Sequence, residues 1–190
     1  EKSDEILKQL SINTKSYKNM DVDFNFHFEN KTQEINEKQD GNIKINGNKF
    51  RLELNQQIVI SDDTTQWIYL KESNELQIME HDPEDDILSP NKLFTIYENG
   101  YKNNYVELKE ESEKKKHIID LFPIESNEFT KIQLHIDAEK IQLKNIILHD
   151  KNGGTFTYLI TKFLTNTEMD QKAFSFNSDE YPDIEIIDLR

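Results

Sequence analysis

The side chains of this sequence that could do chemistry are mostly carboxylates and histidines, and their spacing matches no common catalytic motif. The chain has 37 acidic residues and five histidines but no cysteine, which excludes disulfides, thiolate metal sites and cysteine nucleophiles. It also contains no nucleophile elbow, phosphate-binding loop, zinc-protease motif or glycine-rich dinucleotide turn. We therefore predict that the protein is not an enzyme.

One acidic segment has a composition that suits a metal ion. Histidine and carboxylates bind Zn²⁺ and Ca²⁺, but this segment lacks the glycine and the ligand spacing of a calcium loop. We interpret it as a solvated loop and predict no metal site, with a bound cation as the alternative. His117 and Asp120 lie on a predicted strand with opposite facing, so they should not share a site. The acidic segment consists of His81, Asp82, Glu84, Asp85 and Asp86.

The elements that would position these residues are mainly strands. From residue 21 apolar residues recur at every second position, as in Val22, Phe24, Phe26 and Phe28, which is typical of a half-buried strand. Turn-forming residues separate the alternating segments, so the sequence predicts a meander of antiparallel hairpins. The predicted turns include Asn46–Asn48, Ser61–Asp63, Ser73–Asn74 and Lys151–Gly154. Further strands are predicted around Ile43–Ile45, Phe50–Leu54, Ile58–Ile60, Trp67–Tyr69, Leu76–Ile78, Tyr105–Val106, His117–Leu121, Ile132–Ile136, Ile141–Leu148, Thr155–Phe163, Phe174–Phe176 and Ile184–Ile186.

Two helices are predicted beside the strands. The first runs from Asp4 to Tyr17, with Ser3 as its N-cap and a narrow apolar stripe that suits a helix laid on another surface. The second begins at Ser89-Pro90, because proline suits the first helical position, and ends at Asn99-Gly100.

The repeated apolar face of the strands needs a cover, and two helices are too few to bury it fully. One solution is a strongly curved antiparallel sheet, a half-open barrel whose concave side is apolar and partly filled by the helices. Such a barrel encloses a ligand cavity when its side chains do not fill it. The alternative is a packed sandwich of two sheets without a cavity, and the strand pattern alone does not decide between them.

Composition and charge limit the class of protein and its partners. Aromatic residues are too frequent for a disordered chain, and no repeat or linker interrupts the pattern, so residues 1–190 should form a single domain. The net charge of −14 repels phosphate backbones and anionic head groups, so nucleic acid and bare membrane are poor partners. With no apolar run of transmembrane length and no leading signal segment, we expect either a cytosolic protein or one whose signal peptide was removed.

Several segments together resemble one family in order and spacing. They are Gly41–Arg51, Ile60–Tyr69 with its turn followed by Trp67-Ile68-Tyr69, Ser89–Pro90, Phe174–Phe176 and Ile184–Arg190. In these segments the chain resembles the LolA family of periplasmic lipoprotein carriers. The C-terminal segment in particular resembles the LolA-like proteins of Bacteroidetes. The resemblance spans nearly the whole chain, and the Trp-x-Tyr element after the turn is its most specific part.

The resemblance implies a fold and a function. The fold is an incomplete antiparallel β-barrel of about eleven strands with a helical lid over an apolar cavity. Members of the family carry the acyl chains of lipoproteins from an inner-membrane lipoprotein-releasing ABC transporter to an outer-membrane acceptor. This implies a soluble, monomeric periplasmic carrier of acylated lipoproteins, and it implies no cofactor. The alternative is an anchored lipid or lipoprotein receptor, or a lipid-sensing module, of the same fold.

The apolar face and the resemblance together predict the residues that would contact cargo. The lid should include Leu10, Leu93, Phe94 and Tyr97. Better-known carriers latch the lid with a basic residue where Gly47 stands here, so the resemblance leaves the latch unassigned. The predicted cavity lining consists of Phe24, Phe26, Phe28, Ile43, Ile45, Phe50, Leu52, Trp67 and Tyr69.

Overall fold

The computed structural model describes residues 1–81, 92–111, 114–126 and 128–190. In these residues one α-helix, α1 (Lys2–Ser16), precedes the strands, and three short 3₁₀ helices occupy Lys92–Phe94, Gln171–Phe174 and Ser178–Glu180. The strands are β1 (Asn19–Asn30), β2 (Ile35–Asn46), β3 (Lys49–Leu54), β4 (Gln57–Ser61), β5 (Thr65–Leu70), β6 (Glu75–Glu80), β7 (Tyr101–Glu111), β8 (Lys114–Pro123), β9 (Phe129–Asp137), β10 (Gln142–Asp150), β11 (Gly154–Thr165) and β12 (Glu185–Asp188).

All twelve strands belong to one sheet, in the order β12-β6-β5-β4-β3-β2-β1-β11-β10-β9-β8-β7. The order ends at β12 and β7, so the sheet is not closed in the described part of the chain. Strands β2 to β6 and β7 to β11 pair antiparallel with their neighbours, and β12 pairs parallel with β6. The prediction of a mainly β, half-open antiparallel sheet is confirmed.

The predicted turns have the backbone that their residues favour. Gly47 adopts a φ of +61°, and Asp63, in the turn before Trp67, adopts a φ of +86°. Aspartate tolerates this left-handed region better than most residues because its short polar side chain bonds locally. The Asp63 carboxylate accepts a hydrogen bond from Nδ2 of Asn48 at 3.3 Å.

Both predicted helices differ from the observed ones. Helix α1 begins at Lys2 rather than Asp4, and its N-cap is Glu1, so Ser3 lies inside the first turn, where it is 2% exposed. The predicted start of the second helix, Ser89-Pro90, lies outside the described residues. Lys92–Phe94 form a single 3₁₀ turn, and turns and bends follow as far as Gly100.

The chain divides into two compact units. The first contains residues 1–17, 24–39 and 94–161, and the second contains residues 18–23, 40–93 and 162–190. The first unit therefore holds α1, β7 to β10, most of β1 and β11, and the start of β2 at residues 35–39. The second holds β3 to β6, β12 and the remaining parts of β1, β2 and β11.

The core of the first unit lies on one face of β8, β9 and β10. Strand register places Ile119 beside Leu134 and Leu134 beside Ile146, and all three are at most 1% exposed. Helix α1 lies over this face, since its Asp4 accepts a hydrogen bond at 2.9 Å from Asn103 of β7, which is paired with the buried Leu121 of β8. The apolar stripe of the helix, which includes Leu10, is buried there.

The second unit is apolar on both faces of its strands. Ile45 and Phe50 are paired and buried on one face, whereas Ile60 pairs with Trp67 on the other. The second face forms a cluster with residues that follow β11 and approach β12. Its members are Ile58, Ile60, Trp67, Tyr69, Leu76, Ile78, Phe176, Tyr181 and Ile184.

The segment between β11 and β12 is not the strand that was predicted at Phe174–Phe176. Residues Gln171–Phe174 form a 3₁₀ helix because Asp170 caps it, accepting a hydrogen bond from the Lys172 N–H at 3.0 Å. Arg51 of β3 donates to the Ala173 carbonyl at 3.4 Å. Polar contacts thus occupy backbone groups that strand pairing would need, while Phe174 remains buried.

Candidate functional site

The first unit carries a continuous set of aromatic rings on β1 and β11, which we call the aromatic surface. Phe28 and Phe156 stack with ring centroids 4.6 Å apart. Phe26 lies 5.1 Å from Tyr158 and 6.3 Å from Phe156, and Phe24 lies 5.8 Å from Tyr158. The aromatic surface consists of Phe24, Phe26, Phe28, Phe156 and Tyr158.

The aromatic surface extends the apolar core of the first unit. Tyr158 pairs with Ile146, and Phe156 pairs with Leu148, so both rings lie on the core face of the sheet. Phe24 is buried at 7% exposure, but the other four members are only half-buried. Aromatic side chains offer large apolar areas at a small entropic cost, so this surface suits an elongated apolar ligand.

Gly154 leaves space for close packing at one end of the aromatic surface. A Cβ atom at this position would lie 2.9 Å from Cε2 of Phe28 and 2.6 Å from Oδ2 of Asp150. The Gly154 N–H also donates to Oδ1 of Asp150 at 2.6 Å. The absence of a side chain therefore lets the Phe28 ring approach the backbone at the start of β11.

A cleft of about 460 Å³ separates α1 from the segment that leads into β7. Its walls are mixed, with Leu7 and Ile12 of the helix facing Tyr97 and Tyr101, and with Lys8 and Asn103 among the polar groups. The cleft is open to solvent, which distinguishes it from the closed apolar packing beneath the helix.

Three polar contacts hold α1 against residues 97 and 98. Ser11 Oγ donates to Oε1 of Glu98 at 2.5 Å, and Lys15 Nζ lies 2.9 Å from the same oxygen. Thr14 Oγ1 lies 3.5 Å from the Tyr97 hydroxyl, and burial raises the pKa of Tyr97 to about 12. The sequence left the attachment of a lid unassigned, and these three contacts attach α1 to residues 97 and 98.

The predicted lid residues are largely buried. Leu10, Phe94 and Tyr97 belong to the first unit and are 1%, 4% and 6% exposed, whereas Leu93 belongs to the second unit and is half-buried. Their role as a movable lid stays a prediction.

The register corrects two of the predicted lining residues. Phe50 pairs with Ser61, and Ser61 pairs with Gln66, so Trp67 and Tyr69 point to the opposite face from Phe50. The Tyr69 ring instead packs 4.5 Å from that of Tyr181. Trp67 and Tyr69 therefore cannot line one surface with Ile43, Ile45, Phe50 and Leu52, which do share a face.

The sequence contained a signal for this second apolar face. Ile58-Val59-Ile60 and Trp67-Ile68-Tyr69 are apolar at consecutive positions, which indicates a strand buried on both sides rather than on one. Phe156 and Tyr158 were also missed as site residues. They alternate with threonines in the predicted strand Thr155–Phe163, and that alternation was the available signal.

The histidines of the described residues form no metal site. No group of three or more metal-ligating side chains occurs among those residues. His81 Nδ1 lies 3.2 Å from Gln66, while Asp82, Glu84, Asp85 and Asp86 lie outside the described residues. His117 contacts the Tyr105 hydroxyl at 3.1 Å, and Asp120 instead bonds Gln133 at 2.7 Å, in agreement with their predicted opposite facing.

Solved structures share the fold at low sequence identity. An uncharacterized conserved protein of Thermus thermophilus matches with a TM-score of 0.64 at 12% identity, over 99% of both chains. A chain of the Pseudomonas aeruginosa MucA/MucB complex gives 0.53 at 13% identity, over 94% of this chain and 62% of that one. The Mycobacterium tuberculosis lipoprotein LppX gives 0.52 at 9% identity, over 87% of this chain and 96% of LppX.

Membership of a family rests on the sequence model rather than on these structures. No curated protein sequence matches the chain significantly. Within the described residues, no helix has both the length and the apolar character that a membrane crossing requires. The model of the outer membrane lipoprotein carrier protein LolA matches residues 15–177, most of the sequence. The chain therefore belongs to the LolA family, whose members are carriers and binding proteins rather than enzymes.

Proposed function

We propose that this protein is a soluble periplasmic carrier that binds the acyl chains of lipoproteins and delivers them from the inner to the outer membrane. It would receive its cargo from an inner-membrane lipoprotein-releasing ABC transporter and pass it, as a monomer, to an outer-membrane acceptor. The family and its fold support this role. The observation that carries the proposal is the half-buried aromatic surface, because it leaves apolar area available to a ligand.

The energetic need for such a carrier follows from the cargo. Each methylene that leaves an apolar site for water costs about 0.8 kcal/mol, so a chain of about 16 carbons costs roughly 12 kcal/mol to expose. A lipoprotein therefore does not cross an aqueous compartment unaided. A carrier with a continuous apolar surface offsets most of this cost while remaining water-soluble through its charged residues.

A related role is the second candidate. One structure of the same fold, LppX, is itself a lipoprotein, which favours an anchored lipid or lipoprotein receptor. The two roles differ in the mature N-terminus. Intact-mass measurement of the protein from its native host would show an acylated N-terminal cysteine for the receptor and none for the carrier.

The test of acyl-chain binding compares two acidic substitutions on opposite faces of neighbouring strands. Phe26→Glu places a charge on the aromatic surface, and Leu159→Glu places one on the other face of β11, where Leu159 is 42% exposed. We expect Phe26→Glu to abolish binding of a fluorescent fatty acid and Leu159→Glu to leave it unchanged. Phe94→Glu should also abolish binding if Phe94 contributes to the lid.

Thermal unfolding of each variant shows whether it is folded before binding is compared. A folded Phe26→Glu protein that binds the probe like the wild type would contradict the placement of the site. Native mass spectrometry of protein from its own host provides a second test, with co-purified acylated peptides as the expected result.

A further inference from the structure

The aromatic surface contains one polar side-chain atom, the hydroxyl of Tyr158. The Tyr158 ring packs against Phe24 and Phe26, with centroids 5.8 and 5.1 Å apart. No group among the residues that the structure describes forms a hydrogen bond with its hydroxyl. Phe24, Phe26, Phe28 and Phe156 offer apolar rings alone, so Tyr158 is where this surface could recognise a polar atom of a ligand.

The lack of a partner calls for a physical reason. Most buried polar side chains in proteins are hydrogen-bonded, because an unpaired hydroxyl in an apolar setting is unfavourable. Burial raises the pKa of Tyr158 to about 12, and no hydrogen bond lowers it. Phenylalanine would fill the same position without this cost. The hydroxyl also remains protonated at neutral pH, so it is available as a donor.

The Tyr158 hydroxyl is also not fully enclosed by the protein. The fully enclosed side-chain atoms without a partner are Oδ1 of Asn103 and Oδ1 of Asn145 among the described residues, and Oη of Tyr158 is not one of them. A ligand that lies on the aromatic surface can therefore bring an acceptor to this hydroxyl without displacing a protein group from it.

We propose that the Tyr158 hydroxyl donates a hydrogen bond to the carbonyl oxygen of an acyl group bound on the aromatic surface, so that the site selects acyl esters and amides over ether-linked chains. This inference rests on the proposed function, since it requires an apolar chain against Phe26 and Phe28. A carbonyl oxygen is an acceptor without a proton, and it lies at the end of every acyl chain, where the apolar contact stops.

The test uses two ligands that differ in one carbonyl group. Palmitoylglycerol carries its chain through an ester and hexadecylglycerol carries a chain of the same length through an ether, and each displaces a bound fluorescent fatty acid. Tyr158→Phe should weaken binding of the ester roughly three- to tenfold, as expected for one net hydrogen bond, and leave the ether unchanged. Tyr181→Phe, which removes a hydroxyl from a ring of the second unit, is the matched control and should change neither.

Equal weakening for both ligands, or no weakening for either, would overturn the inference.

A second measurement uses the protein without ligand. The Tyr158→Phe variant should unfold at the same temperature as the wild type or at a higher one, because the substitution removes an unpaired hydroxyl. A clearly lower temperature would mean that the hydroxyl has a partner within the protein, which contradicts the inference. If the wild type binds neither glycerolipid nor the fluorescent probe, the proposed function is contradicted as well. If the wild type binds the probe and both glycerolipids, the comparison with Tyr158→Phe tests the inference alone.

Discussion

At the scale of single residues, Glu98 connects parts of the chain that are far apart in sequence. It accepts a hydrogen bond from Ser11, 87 residues earlier, and pairs with Lys15, while its own side chain is 20% exposed. Burial acts to raise the pKa of Glu98, but the bonds from Lys15 and Ser11 and the Lys15 charge outweigh it, so the pKa lies below its usual value of 4.5. The carboxylate is thus more stable in the folded chain than in the unfolded one.

The pH dependence of stability tests this arrangement. A carboxylate whose pKa falls on folding stabilises the protein above its ordinary pKa, and this contribution is lost as the pH drops through the lowered value. We expect Glu98→Gln to reduce the free energy of unfolding at pH 7 by about 0.2–1 kcal/mol, because Lys15 is largely exposed to solvent. The difference from the wild type should shrink below pH 4.5.

Urea unfolding at several pH values measures this difference. Glu125→Gln is the control, since Glu125 is exposed and should change stability little at any of these pH values. A Glu98→Gln deficit of the same size at pH 3 and at pH 7 would show that packing, not charge, causes the effect.

At the scale of elements, α1 shows what a narrow apolar stripe indicates. The sequence predicted a helix that lies on another surface, and Ile6, Leu7 and Leu10 are the buried apolar residues of the observed helix. Its polar side also makes specific contacts, for Asn13 donates to the Ile141 carbonyl at 3.1 Å in the turn before β10. The helix is therefore held by a buried stripe and by polar contacts at its edge.

Two alanine substitutions on α1 separate packing from helix propensity. Leu10 is 1% exposed and Ile12 is 52% exposed, although both are aliphatic and lie two positions apart. Leu10→Ala should lower the free energy of unfolding by about 2–5 kcal/mol, because it removes buried methyl groups and leaves a cavity. Ile12→Ala should stay within about 0.5 kcal/mol of the wild type in the same denaturant titration.

Similar losses for Leu10→Ala and Ile12→Ala would contradict the observed orientation of α1. A larger loss for Ile12→Ala would show that the exposed side of the helix faces something other than solvent.

At the scale of the whole molecule, the net charge determines which charged surfaces attract or repel the protein. The net charge is −14, from 37 acidic and 23 basic residues. Exposed ion pairs, such as Lys115 with Glu110, neutralise basic groups locally and leave the acidic excess to dominate the field. Such a molecule should take up a lipid through an apolar surface rather than through attraction to anionic head groups.

Vesicle binding checks this expectation. At low ionic strength the protein should sediment no more with phosphatidylglycerol vesicles than with neutral phosphatidylcholine vesicles, because like charges repel. Binding to the anionic vesicles that disappears on addition of salt would mean that a local basic patch overrides the net charge.

Much of this fold could be predicted from local sequence. Alternation with period two marks a strand because successive side chains point to opposite faces, and glycine or aspartate marks a turn because the backbone there is left-handed. Val22 to Phe28, the turn at Gly47 and the hairpin at Gly153 all followed these rules. The LolA family could likewise be recognised from segments that keep their order and spacing.

Local sequence rules do not show which residues pack against each face of a strand. Trp67 alternates with Tyr69 as a strand residue should, but only the register with Ile60 and the return of Phe176 and Tyr181 decided which face these residues cover. Local sequence could not predict the contact of Glu98 with Ser11 either, nor the position of the unpaired Tyr158 hydroxyl. The sequence by itself determined where most of the strands and turns lie, since these depend on neighbouring residues. The tertiary structure alone decided which surfaces meet, because such contacts join residues that are distant along the chain.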